Sequence, residues 1–202
     1  MRAWEPVVAA LPWSRPPDRL WEDGPRQGTW FPGGRINAAT ACVTVHAERT
    51  PDRIAVLWEG EPGDRRTLTY AALLPRVRAL AFAVQESGAE RVAVHATPTW
   101  STVLGVSAAV VAGVTVVPVP ADAGPGERAH IVRDSGATHW LGDLPPDGSS
   151  GLGHLPVAPV VTSGADAGAP QAAAGASDAA YPQVDDAKPC FILYTSGTTG
   201  LP

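Results

Sequence analysis

Cysteine, lysine and concentrated positive charge are all scarce in this sequence. Its two cysteines, Cys42 and Cys190, stand far apart in apolar surroundings. That excludes a disulfide framework and a paired thiolate metal site, and both thiols are expected to be reduced and buried. Lys188 is the only lysine in 202 residues, and the net charge is −5 at pH 7. With no basic face to neutralise a phosphate backbone, a nucleic-acid partner is excluded. Glu5, Pro6 and Pro12 interrupt the stretch where a secretory leader would carry its apolar region, so none is expected. His46, His95, His130, His139 and His154 lack metal-site spacing and are read as structural or solvated. Asp52, Asp64, Asp122 and Asp134 read as turn or cap residues, and none forms an acid/base pair.

Charge is missing altogether from Val92 to Ala121. Length alone would suit a membrane span. Gly113 breaks the run in its middle, and Pro118 and Pro120 stand in its second half. A helix followed by a buried parallel strand accounts for it better, so the chain is expected off the membrane, in the cytoplasm. Hydrophobic residues make up 45% and charged residues 17%, which suits a folded core rather than disorder.

Residues 1–36 form a Trp- and Pro-rich segment with no clear period. Trp4, Trp13, Trp21 and Trp30 are expected to insert their indoles into the folded body. Trp30-Phe31-Pro32-Gly33-Gly34 reads as a tight turn. A subdomain over 37–143 follows. Its first helix is predicted over Asn37–Glu48, with a stripe of Ala38, Ala41, Cys42, Val45 and Ala47. Ile54–Trp58 and Arg66–Thr69 read as the strands of a hairpin. Thr69 caps a helix over Tyr70–Glu86, whose inward face is Leu73, Leu74, Val77, Leu80, Ala81 and Val84. Pro75 falls in its second turn, so the helix is expected to start later or to kink. Gly88 closes it.

Arg91–Ala96 is the next strand, with Thr97 as cap and Pro98 as first residue of a helix ending at Gly113. Val114–Val119 is a strand apolar on both faces, Glu127–Asp134 a short helix, and Thr138–Leu141 another strand. That alternation predicts an α/β fold, a mostly parallel sheet with helices on both faces. Residues 144–187 are dominated by Ala, Gly and Pro and read as a flexible linker. Residues 188–202 carry a terminal strand and loop. No internal repeat is present.

The stretch Phe191-Ile192-Leu193-Tyr194-Thr195-Ser196-Gly197-Thr198-Thr199-Gly200 organises the rest. Its first four residues read as a short buried strand. Hydroxyl residues and glycines follow at once. Gly197 and Gly200 let the backbone approach a ligand closely, and the row of N–H and hydroxyl donors suits phosphate oxygens. It is not a Walker A loop, because no lysine follows Gly200. On the residues alone, a phosphate-holding loop and a polar surface turn fit equally.

The stretch from Tyr194 to Pro202 nevertheless resembles the phosphate loop of adenylate-forming, AMP-binding enzymes. Further stretches are similar to short-chain acyl-CoA synthetases of the acetyl- and propionyl-CoA synthetase group: Trp30 to Asn37, His46-Ala47, Ile54-Ala55, Trp58 to Asp64 and Leu68 to Ala71. The resemblance implies that Thr195, Ser196, Gly197, Thr198, Thr199 and Gly200 hold the β- and γ-phosphates of ATP. It implies ATP, Mg²⁺ and coenzyme A as cofactors, and a nucleotide and a short-chain carboxylate as partners. No catalytic or metal-ligating residue is assigned.

By the same resemblance the chain is the N-terminal portion of such a ligase, expected to be inactive alone because the downstream motifs are missing. Where the family carries an Arg-containing coenzyme A segment, this chain reads Leu144-Pro145-Pro146-Asp147-Gly148. Two alternatives stand beside this reading: a non-catalytic α/β module that docks to a partner, and a fragment of an amino-acid-activating domain. Left uncovered, the terminal strand is expected to fray or drive self-association.

Overall fold

The computed structural model describes residues 2–25, 27–61, 63, 65–143, 152–155 and 188–195. A 3₁₀ turn, Arg2–Trp4, leads into α1 (Glu5–Ala10), where Pro6 occupies the first turn and no N–H is needed. Strands β1 (Trp21–Glu22) and β2 (Thr29–Trp30) pair antiparallel, with Trp21 opposite Trp30. The tight turn after Trp30 is present: Gly34 donates its N–H to the Phe31 carbonyl, and Phe31 and Gly33 have φ of 53° and 74°.

The indoles do not insert into the body as expected. Trp21 and Trp30 meet edge to face at 5.0 Å, and Phe31 lies 5.6 Å from both Trp13 and Trp30. These rings bury part of one another, and Trp4 and Trp30 stay half exposed. An aromatic surface can thus be covered by its own kind rather than by a core.

Asn37 ends this arm and is buried. Its Oδ1 accepts from the Ala39 N–H, while Nδ2 donates to the carbonyls of Val110 and Val111 at 3.2 and 3.3 Å. The helix that follows is not regular. A π turn occupies Thr40–Thr44 before α2 (Val45–Arg49). Its i→i+5 bonds add a residue per turn, which rotates the buried face away from the predicted stripe. Ala39, Val43 and Thr44 are buried, whereas Ala38 and Cys42 face outward. Cys42 and Cys190 are both free and both exposed, which corrects the expectation of burial.

Strands β3 (Ile54–Glu59) and β4 (Arg65–Thr69) form the predicted antiparallel hairpin. Helix α3 (Tyr70–Glu86) begins where the cap was placed, with Thr69 Oγ1 accepting from the Ala72 N–H at 3.3 Å. It holds Pro75 inside rather than starting after it. Leu73, Val77, Ala81 and Val84 are buried, and Gly88 closes the helix with φ 68°.

Then come β5 (Arg91–Ala96), α4 (Trp100–Ala112), β6 (Thr115–Pro120), α5 (Pro125–Ser135), β7 (His139–Leu141) and β8 (Gly153–Leu155). The cap of α4 is Thr99 rather than Thr97, and Pro98 lies outside the helix. Gly113 and Gly136 end α4 and α5 in the left-handed conformation. The uncharged stretch therefore resolves into the end of β5, α4 and β6. Among the described residues no helix is long and apolar enough to cross a membrane.

The main sheet has the order β6-β5-β7-β8, all parallel. Side chains alternate across it. Val92, Val94, Val116 and Leu141 pack with Leu73, Val77, Leu104 and Ala108 of α3 and α4. Ala93, Val117, Val119 and Trp140 pack with Ile131 of α5 on the other face. Each of the valines, leucines and isoleucine withdrawn from water here is worth about 1.5–3 kcal/mol. The parallel α/β sheet with helices on both faces is the architecture that the alternation predicted.

Strand β8 lies inside the stretch read as linker. It pairs with β7 and is held further by Gly142 N–H to the Leu155 carbonyl, 3.0 Å. Apart from Leu152, the remainder of 144–187 lies outside the described residues, as do Pro62 and Asp64 of the hairpin loop.

Candidate nucleotide site

In a parallel sheet every strand points its C-terminal end the same way, and ligands collect beyond that edge. The terminal segment joins this sheet beside β6. Phe191 and Val116 form a parallel bridge: Val116 N–H donates to the Cys190 carbonyl at 2.9 Å, and Ile192 N–H donates to the Val116 carbonyl at 3.0 Å. Thr115 Oγ1 adds a bond to the Pro189 carbonyl at 2.8 Å. Counting on in register from Phe191 and Val116 places Thr195 level with Pro120, the last residue of β6. The chain thus leaves at the C-terminal edge.

The segment is not the buried strand expected. Ile192 and Tyr194 pack on the cluster under α5, but Phe191 and Leu193 are 43% and 70% exposed. Among the described residues these two side chains remain open to water. Thr195 is exposed. Ser196, Gly197, Thr198, Thr199 and Gly200 lie outside the described residues.

Tyr194 makes a contact that sequence spacing does not suggest. Its hydroxyl donates to Asp134 Oδ2 of α5 at 2.6 Å, and its ring meets His130 edge-on at 6.4 Å. Desolvation first, and then the Asp134 carboxylate, push its phenol up to about 12. Desolvation also raises the Cys190 thiol. By sequence Asp134 reads as a turn or cap residue. Sixty positions separate it from Tyr194, and no periodicity links them.

A second polar group lines the same edge after β5. Thr97, Thr99 and Thr102 share hydroxyl bonds, and Thr102 Oγ1 donates to the His95 carbonyl at 3.1 Å. Thr99 and Ser101 both donate to Asp143 Oδ2. That carboxylate sits at the start of α4, where the helix dipole favours negative charge. His95 itself is buried, and its Nε2 has no hydrogen-bond partner among the described residues. Among those residues no group of three His, Cys, Asp or Glu could hold a metal ion.

A parallel sheet between helices is the layered class of fold in which ligands collect beyond the carboxyl edge of the strands. The family model described as "AMP-binding enzyme" matches residues 43–202, and the chain belongs to that family. It is 41% identical over 99 residues to the acetyl-coenzyme A synthetase of Mycobacterium bovis, a stretch covering 46% of this chain and 15% of that protein. Against the acetyl-coenzyme A synthetase of Mycolicibacterium smegmatis the identity is 43% over 99 residues, covering 46% of this chain and 10% of that one. The structure of acetoacetyl-CoA synthetase from Streptomyces lividans superimposes with a TM-score of 0.75 at 22% identity. That superposition takes in 100% of this chain and 34% of the Streptomyces protein, and it shows the shared fold. The chain thus corresponds to a minor part of each relative.

Proposed function

We propose that the chain supplies the N-terminal α/β part and the triphosphate loop of an ATP-dependent acyl-CoA synthetase. In that reaction a carboxylate attacks the α-phosphorus of ATP, giving an acyl-adenylate and releasing pyrophosphate. The thiol of coenzyme A then displaces AMP to form the thioester. Thr195, Ser196, Gly197, Thr198, Thr199 and Gly200 would hold the β- and γ-phosphates through N–H and hydroxyl donors aimed at developing charge. Mg²⁺ would travel with those phosphates, a short-chain carboxylate would be the acyl donor, and the work would be cytoplasmic.

One observation carries this reading: the family match runs through the Tyr-Thr-Ser-Gly-Thr-Thr-Gly stretch. The test uses the 202-residue chain with MgATP, first with acetate or propionate and then with amino acids. Titration should show MgATP binding that Gly197→Val abolishes, while pyrophosphate release stays below one equivalent. Sustained turnover would overturn the expectation that the chain is incomplete as a catalyst. Unaltered binding in Gly197→Val would remove the loop from the site.

A second reading is favoured by the exposed Phe191 and Leu193 of the outermost described segment, Phe191–Thr195. There the chain is a non-catalytic module whose edge receives a further strand, from a partner or from a second copy. Sedimentation separates the two. A concentration-dependent dimer lost in Leu193→Ser would support the module.

A further inference from the structure

We propose that Asp134 is a positioning residue for the nucleotide loop, acting through the Tyr194 hydroxyl to fix the backbone that leads into Thr195. The inference rests on the phosphate-loop reading above. The last backbone bond between the terminal segment and β6 among the described residues is that of Ile192 to Val116. Beyond it, Leu193 is 70% exposed and gives the chain no hold. The next tie is the Tyr194–Asp134 bond, one residue before the hydroxyl run begins.

The carboxylate stands on a firm base. It lies in the last turn of α5, where Ser135 Oγ bonds the Val132 carbonyl and receives the Ala137 N–H. Arg91 Nη1 reaches from β5 to the Ser135 carbonyl at 2.5 Å. The helix itself gains nothing from an acidic residue at this place. A negative charge in the last turn opposes the dipole, so the role of Asp134 lies outside α5. His130, one turn earlier, presents its ring to the same Tyr194. Tyr194 is therefore held from two positions on one face of α5.

The test compares Asp134→Ala, Asp134→Asn, Tyr194→Phe and the Asp134→Ala/Tyr194→Phe double variant in the full 202-residue chain. Two quantities are read: the MgATP dissociation constant, and amide exchange from Leu193 to Gly200. The urea midpoint serves as the control for folding. Asp134→Ala and Tyr194→Phe should each weaken MgATP binding and speed exchange by about tenfold, with little change in the midpoint. The double variant should be no worse than either single one, because both remove the same bond. Asp134→Asn keeps an acceptor for the phenol and should recover to within about threefold of the parent. Additive effects in the double variant, or a silent Asp134→Ala, would overturn the proposal. If the parent chain binds no MgATP, the phosphate-loop reading fails by itself, and the exchange data alone decide whether the Asp134–Tyr194 tie holds the segment.

Discussion

Strand β6 and the segment Phe191–Thr195 lie side by side, run the same way and are both apolar, yet they are covered differently. Val116, Val117 and Val119 are fully buried, with helices on both faces of the sheet. One step outward, Ile192 and Tyr194 share the cluster under α5, while Phe191 and Leu193 are exposed among the described residues. The difference teaches that an apolar run specifies a strand but not its cover. Cover comes from other elements, and among the described residues α3 and α4 share their buried cluster with Val116 of β6 but not with Phe191 or Leu193.

The largest test of this contrast strikes the inner sheet. Trp140→Ala removes a fully buried ring and should lower the unfolding free energy by about 3–5 kcal/mol in urea denaturation. A loss below about 1 kcal/mol would mean that the core is elsewhere. Ile192→Ala, on the covered side of the outer segment, should cost about 1–2 kcal/mol by the same measurement, since its site is only partly closed.

A pH scan probes that side differently. Tyr194 ionises in the unfolded chain near its ordinary value of 10.0 but in the folded chain only near 12. Its contribution to stability is complete below the lower value and disappears as pH climbs to the upper one, because the unfolded form releases the proton first. The groups facing it are Asp134, Ser135 and His130 on α5 and Arg91 on β5. Urea midpoints at pH 9 and 11.5 should fall more in the parent than in Tyr194→Phe. The smallest effect is expected at Leu193→Ser, within about 0.5 kcal/mol, since the side chain already meets water. If that substitution is strongly destabilising, the outer face is covered after all.

Much of the fold is legible along the chain because local and tertiary preferences agree there. Thr69, the Leu73–Val77–Ala81–Val84 face and Gly88 define α3 from three independent signals, and Pro75 does not outweigh them. Strand β8 is hidden for the opposite reason. Gly-His-Leu within an Ala- and Pro-rich stretch has no period, and only the free edge of β7 makes it a strand. The π turn rotates Cys42 outward by a single added residue, which a helical stripe cannot anticipate. Trp30 and Phe31 were legible as a turn, but not as a cluster that shields itself. Of the candidate site, Thr195 is located and the loop is recognisable by composition. The Asp134–Tyr194 bond is long-range, and no sequence spacing encodes it.

Asn37 carries a consequence for how the chain can be divided. One amide hooks the end of the aromatic arm onto the carbonyls of Val110 and Val111 in the last turn of α4. A protein cut just before Ile36 would keep that hook and shed the whole arm as a detachable collar. Cut a few residues later, it would take from the Val111 carbonyl the amide donor that Asn37 gives it, while Val110 would keep the Gly113 N–H.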